Sequence, residues 1–441
     1  MKSIYILTLL TAGSFCGISA QTKKDAWSLK QCIDYAVTHN ITIKQQADQQ
    51  EQQKLSLNTA KNSRLPGVNG SLDHNFNFGR GLTQSNTYTN RNTMMTGLQV
   101  GASVPIFTGK QIPNQIQLEQ WNLKAATADL EKAKEDLSVN IASAYLQALY
   151  EKELWQVAQR QTALSQTLLE QKEGFFKVGK AAESDVYEVK AQLAQDQLSE
   201  TKAANNYRLS LLTLSQLLEL PSPDSLEVAE PPSNNVDELI LENPESIYQT
   251  AIAIKPSVKA EEFRLKGTNN TINIARSGYM PQVSLTAGLS TNYYNIFGTN
   301  NATFTNQLRD NFNKSIGISV SIPIFDRYAT RNKIRQAKIA QHSQQLALEA
   351  VKKTLYKEIQ QAYYNAVASQ AQYRSSITAE DAARASFTLM SKKYENQKAT
   401  ATEYKEAKTT LEKAESNRIQ AKYDYLFRIK ILNFYKGEQM Q

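Results

Sequence analysis

Two pairs of acids stand just beyond the two sharpest turns that the sequence offers. Asp185 and Glu188 follow Phe176-Lys-Val-Gly179, and Glu403 and Glu406 follow Tyr394-Glu-Asn-Gln-Lys-Ala399. A spacing of three puts both members of a pair on one helical face. Carboxylates so placed are ordinary solvated caps, unless several copies gather them around an axis. There, like charges would raise their pKa values and attract cations. No bond-making chemistry accompanies them. His39, His74 and His342 are far apart, and Cys32 has neither a metal-ligand spacing nor a base beside it. The sequence has no Gly-rich phosphate loop, hence no motif for nucleotide hydrolysis. The expectation is a protein that is not an enzyme and needs no cofactor or metal.

Composition narrows the class further. The 441 residues carry 50 Lys+Arg against 42 Asp+Glu, and 41% are hydrophobic. This is too balanced for a disordered tail protein, and the basic excess is too dilute to indicate nucleic acid as a partner. No apolar run beyond the N-terminus reaches the roughly 18 residues of a membrane-spanning helix. The N-terminus reads as an export signal over residues 1–20. Lys2 is the positive end, residues 4–12 the apolar stretch, and Ser19-Ala20 the cleavage site. A lipid anchor at Cys16 competes with it, although Phe15 occupies a position where that processing prefers a small residue. Removal of Cys16 leaves Cys32 alone, so stability rests on packing without a disulfide.

The chain is written twice. Leu98-Gln-Val-Gly-Ala-Ser-Val-Pro-Ile-Phe107 returns as Ile316-Gly-Ile-Ser-Val-Ser-Ile-Pro-Ile-Phe325, an offset of 218 that also places Leu130 on Leu348, Tyr145 on Tyr363 and Tyr207 on Tyr425. Upstream, an offset of 215 places Ala36 on Ala251 and Pro66 on Pro281. Residues 219–245 hold five of the eleven prolines and no Lys or Arg, which interrupts helix and marks the boundary. The first copy is expected over 21–232 and the second over 233–441. Each would contain a helix, two strands and a long helical hairpin. The strands are expected near 66–80 and 93–107, then 281–294 and 313–325. The hairpins are expected over 110–218 and 328–434.

The strands alternate strictly. Val68, Leu72, Phe76, Val100, Val104, Leu285, Leu289, Ile316, Ile318 and Val320 fall on apolar faces opposite small polar residues. Each strand is long enough for the ~9–11 residues that a tilted strand needs to cross a bilayer, and aromatics mark the ends. The connecting stretches, 80–92 and 294–312, read as extracellular loops. Four strands cannot close a barrel, and open backbone edges are not tolerated in lipid. Two chains would give eight strands with a filled interior, whereas three would give twelve around an aqueous path.

The helices set the reach. Ile116, Leu123, Leu130 and Leu137 recur every seven residues, as do Leu348 and Leu355 in the second copy, forming coiled-coil seams. Some 60 residues at 1.5 Å each give a rod of roughly 90 Å, longer than any membrane is thick. Gly179 can stop the first rod in a left-handed conformation, with Ser184 or Asp185 capping the helix that follows.

The duplication, the Val-Pro-Ile-Phe and Ile-Pro-Ile-Phe strand ends, Asn40-Ile-Thr-Ile43 and the turn Phe176 to Gly179 followed by Asp185-Val186 together resemble the TolC-like outer membrane efflux protein family, over essentially the whole mature chain. The resemblance implies an α+β membrane protein. Each protomer would supply a tandem-duplicated helical coiled-coil barrel and four transmembrane strands, and a homotrimer would form a 12-stranded β-barrel in the outer membrane above a periplasmic tunnel. It implies a periplasmic adaptor and an inner membrane transporter as partners. Val178, Gly179 and Lys180 then correspond to the adaptor-contacting tip of copy one, and Asn396, Gln397 and Lys398 to that of copy two. Gln397 replaces the family's Gly, and Ala399 stands where some members carry a latching Arg. Glu403 and Glu406 match positions that form carboxylate rings at the family's narrow entrance, with Asp185 and Glu188 as the acids of the first tip. A passive conduit follows, closed at rest and opened when partners untwist the inner helices. A secreted trimeric coiled-coil adhesin would explain the heptads without the strands, and a standalone diffusion pore the strands without the rod.

Overall fold

The computed structural model describes residues 26–82, 86–230, 242–396, 398–438 and 440. The export signal, Cys16, Gln397 and residues 231–241 of the connector lie outside the described residues. The first copy runs α1 (Leu29–His39), α2 (Ile41–Asn62), β1 (Gly67–Asn77), β2 (Arg80–Leu82), β3 (Tyr88–Asn90), β4 (Thr93–Phe107), α3 (Gln111–Lys177) and α4 (Glu183–Leu217). The second runs α5 (Pro244–Ile254), α6 (Pro256–Arg276), β5 (Gln282–Ile296), α7 (Phe304–Asp310), β6 (Asn313–Ser321), α8 (Ala329–Glu395) and α9 (Ala401–Tyr435). No described helix is long and apolar enough to cross a membrane.

Several boundaries differ from the sequence expectation. Each copy opens on two helices rather than one. The first break is at Asn40, whose side chain accepts from Thr42 N–H and donates to the Leu217 carbonyl. At the equivalent break, Lys255 is buried, its ammonium 3.3 Å from Glu135 and bonded to the Phe434 carbonyl. Burial lowers the Lys255 pKa and raises that of Glu135, and their mutual attraction opposes both shifts. The first strand stops at Asn77, because Gly79, at φ +128, turns the chain into the short β2–β3 hairpin. The second loop carries α7. Strand β5 continues to Ile296, paired with Thr93. Strand β6 ends at Ser321, short of 325, because Ser321 pairs with Gln282, the first residue of β5, and Pro323 beyond it has no N–H to donate.

The four long strands form one antiparallel sheet in the order β1-β4-β5-β6, with the two copies joined at β4–β5. Direct partners Val68–Ala102, Ala102–Ala287 and Ala287–Ile316 lie in one row, and Val104–Leu285–Ile318 in another. The register therefore merges the four apolar faces into one. Ile316 is 78% exposed, and Val68, Leu72, Ile318 and Val320 are also exposed. Among the described residues, the outer edges of β1 and β6 have no partner strand.

The sheet passes into the helices through a duplicated left-handed turn. Gly109 and Lys110 have φ of 59° and 65°, and Arg327 and Tyr328 have 57° and 62°. Gly109 is needed twice over, since a Cβ there would also lie 2.4 Å from the Met280 side chain. Arg327 takes the same left-handed conformation with a side chain, at a cost of about 1–2 kcal/mol. Helices α3 and α8 are each 67 residues, and α4 and α9 each 35. The core lies at mid-rod, where Cys32 and Ala36 of α1 pack on Ile141, Ala148 and Leu149 of α3 and Leu214 of α4. Beyond α4, Val228 forms a parallel bridge with Trp27, and the Tyr145 hydroxyl is within hydrogen-bond distance of the Trp27 and Ala229 carbonyls. Burial pushes the Cys32 thiol up to about 12, so it is an inert core residue. A second cluster packs Ile247 and Ala251 of α5 on Leu355 and Ile359 of α8 and Leu432 of α9.

Candidate functional site at the helical tips

Both hairpins close with the same backbone bond. Lys180 N–H donates to the Phe175 carbonyl and Lys398 N–H to the Lys393 carbonyl, each at 2.8 Å. This is the 6→1 bond of a Schellman turn. Gly179, at φ +72, supplies the left-handed residue in the first tip. Val178 and Lys180 are exposed, and so are Asn396 and Lys398 in the second tip.

The helices leaving the tips are capped differently. Ala182 is the N-cap of α4 and makes no side-chain bond. The helix therefore starts before Ser184 and Asp185, which lie in its first turn instead of capping it. There Glu183 and Asp185 favour the positive end of the helix dipole. In the second tip Thr400 and Glu403 form a capping box: Glu403 accepts from Thr400 N–H at 2.7 Å, and Thr400 Oγ accepts from Glu403 N–H at 3.2 Å. The Thr400 bonds hold the Glu403 carboxyl below its ordinary value. Within one chain, Glu403 is thus a cap. Glu188 and Glu406 are exposed one turn further on, and Asp185 is half-buried. The four acids stay on two separate hairpins, so only several copies could make a ring of them.

The residues that join the two tips escaped the sequence reading. Lys172 of α3 sits 4.3 Å over the ring of Tyr394, which stacks on Tyr404 at 4.8 Å. Burial raises the Tyr404 phenol to about 12. Behind them Lys408 is 2% exposed and Asp196 7% exposed. The Lys408 ammonium is 2.5 Å from Asp196 Oδ2 and 2.8 Å from Ser165 Oγ, and Ser165 donates to Asp196. The cluster ties α9 to both arms of the first hairpin. A ladder of charges continues along α9: Arg384 bridges Glu380 and Glu415, Arg418 pairs with Glu380, and Lys422 reaches Glu153 at 3.2 Å. The available signal was the seam of α9, where Lys408, Glu415 and Lys422 alternate with Tyr404, Leu411 and Ile419 at core spacing.

The outer membrane efflux protein family matches residues 32–219 and 247–432, one segment in each copy. The chain belongs to this family. Among outer membrane efflux proteins, TolC of Escherichia coli K12 is 23% identical over 427 residues, covering 96% of this chain and 84% of its own length. TolC of Vibrio cholerae is 24% identical over 322 residues, 71% of each chain. The CmeC outer membrane channel of Campylobacter jejuni superposes with a TM-score of 0.75 at 19% identity, over 93% of this chain and 85% of its own. As in the efflux proteins generally, the duplication and the helical barrel with its strands are features of the fold. Among the described residues no group of His, Cys, Asp and Glu could hold a metal ion.

Proposed function

We propose that the chain is the exit duct of a tripartite efflux pump or type I secretion system, set in the outer membrane with its helices in the periplasm. One observation carries this reading: a four-stranded sheet whose strands share one largely apolar face, and whose two edges have no partner strand among the described residues, stands on helical hairpins roughly 100 Å long. Lipid requires the edges to be closed. Because β1 and β6 run in opposite directions, the β6 of one copy can pair antiparallel with the β1 of the next, and three copies close twelve strands around an aqueous bore. The homotrimer then gathers the helices into a periplasmic tube.

Its tips are the docking points. Val178, Gly179 and Lys180 of one tip, with Asn396 and Lys398 of the other, offer exposed backbone and charge to a periplasmic adaptor that links the duct to an inner membrane transporter. The transporter supplies the energy. Threefold repetition turns Glu406 and Glu403, together with Asp185 and Glu188, into carboxylate rings that draw cations to a closed entrance. Opening unwinds α9 and its partner helix from the first hairpin and breaks the Lys408 cluster. Planar-bilayer conductance of the purified protein, with its mass in detergent, tests the reading. A trimer with small, cation-blocked conductance is expected, and a detergent-free soluble monomer would sink it.

A further inference from the structure

The first turns of α8 carry a basic face that the duct itself does not need. Phe325 and Tyr328 lie at the end of the strand-to-helix turn, 71% and 59% exposed, with their rings edge to face at 5.6 Å. Arg331 lies 5.8 Å over the Tyr328 ring. Arg335 and Lys338 follow at the fourth and seventh positions after it, both exposed and on the same side of the helix. No acid occurs between Asp326 and Glu349, and Asp326 is occupied by Thr330 N–H at 2.7 Å. Helix α6, which packs alongside, has no acid after Glu262 and ends on the exposed Arg276.

The face belongs to the second copy alone. At an offset of 218, Arg331, Arg335 and Lys338 correspond to Pro113, Gln117 and Gln120. The same turn and the same 67-residue helix form without the charges in copy one.

The face looks outward. Arg335 repeats every seven residues through His342 and Glu349 to Tyr356, whose ring lies 4.7 Å from Tyr248 of α5. In a trimer, six copies of α1 and α5, each ~10 Å across, would fill the bore if they lay inside it, so they cover the outside. The seven-residue period puts Arg335 on that same outer face. Arg331 and Lys338 span roughly 10 Å of helix axis directly beneath the aromatic ring of the barrel, within about one Debye length of the headgroups.

We infer that the start of α8 is a collar that binds the phosphates of anionic phospholipids in the periplasmic leaflet. The inference rests on the membrane orientation proposed above. Aromatic rings hold the depth of the barrel at the interface, and the long basic side chains snorkel to the phosphates beside them.

The test is native mass spectrometry of the full-length protein from detergent, titrated with phosphatidylglycerol and with phosphatidylcholine of the same chains. The R331Q/R335Q/K338Q variant is expected to bind phosphatidylglycerol more weakly by roughly fivefold per charge removed. Phosphatidylcholine binding should not change, nor should either lipid's binding to a K190Q/K202Q control from the exposed side of α4. If the triple variant does not assemble, R335Q alone should show the single fivefold step. A variant that conducts normally and keeps its phosphatidylglycerol overturns the collar and leaves the duct intact. An altered ion selectivity with lipid binding unchanged also overturns it, because the face would then line the bore.

Discussion

Lys408 of the second copy and Asp196 of the first meet at 2.5 Å in a setting from which both are almost wholly excluded from water. Ser165 completes the contact, so that a single ammonium is shared between the two arms of the opposite hairpin. Glu412, 3.7 Å away, has its carboxyl raised by burial, with Lys408 opposing the shift.

Removing one partner of such a pair leaves the other charge buried. Lys408→Met should cost about 3–5 kcal/mol of stability, and the double change K408M/D196L should recover much of it. Thermal melting checks the first expectation. If the contact holds the entrance shut, single-channel conductance should rise in Lys408→Met before global unfolding begins.

Glu403 caps α9, and the proposed carboxylate ring would be a second duty separable from that cap. Its pKa is lowered in the fold, so its cap contributes above the ordinary carboxyl value of 4.5 and is lost as pH falls through the lowered value. Glu403→Ala should speed amide exchange over the first turn of α9, while Glu403→Gln should keep the cap and remove the charge. Cation block should weaken in Glu403→Gln and Glu406→Gln alike, and unchanged block in both would end the carboxylate-ring proposal.

At Gly179 a Cβ would meet nothing within 4 Å, so a substitution costs only backbone strain. Gly179→Ala should destabilise the first tip by about 1–2 kcal/mol, and Gly179→Asn by less. Exchange protection of the Lys180 amide should fall in that order.

The two faces of β6 should respond oppositely to charge. Ile318→Arg on the apolar face should cost about 2–4 kcal/mol at mid-membrane depth, whereas Ser319→Arg on the other face should fold and alter ion selectivity. The yield of folded trimer in lipid vesicles separates them.

The features most legible in the amino acids were periodic ones. Strict alternation located all four long strands, and the seven-residue repeats of Leu130, Leu137, Leu348 and Leu355 found seams that are buried in the fold. Where the reading failed, a partner from elsewhere in the fold decided the outcome. Strand β6 stops at Ser321 because β5 offers it no further carbonyls or amides, although Ile322 and Ile324 continue the alternation. The breaks at Asn40 and Lys255 depend on contacts with Leu217, Glu135 and Phe434, all more than a hundred residues away. At the tips, the turn and its Gly were readable from the chain. Lys408 was hidden, since a lysine on a seam looks solvated until the neighbouring hairpin is in place.

The equal lengths of the hairpin arms, 67 with 67 and 35 with 35, constrain how this molecule can change. A heptad added to one arm alone would displace one tip by roughly 10 Å and leave the pair uneven at the mouth. Lineages that grow a longer tunnel must therefore lengthen four helices in concert, in whole heptads, and solitary insertions should be confined to the outer loops and the acidic connector.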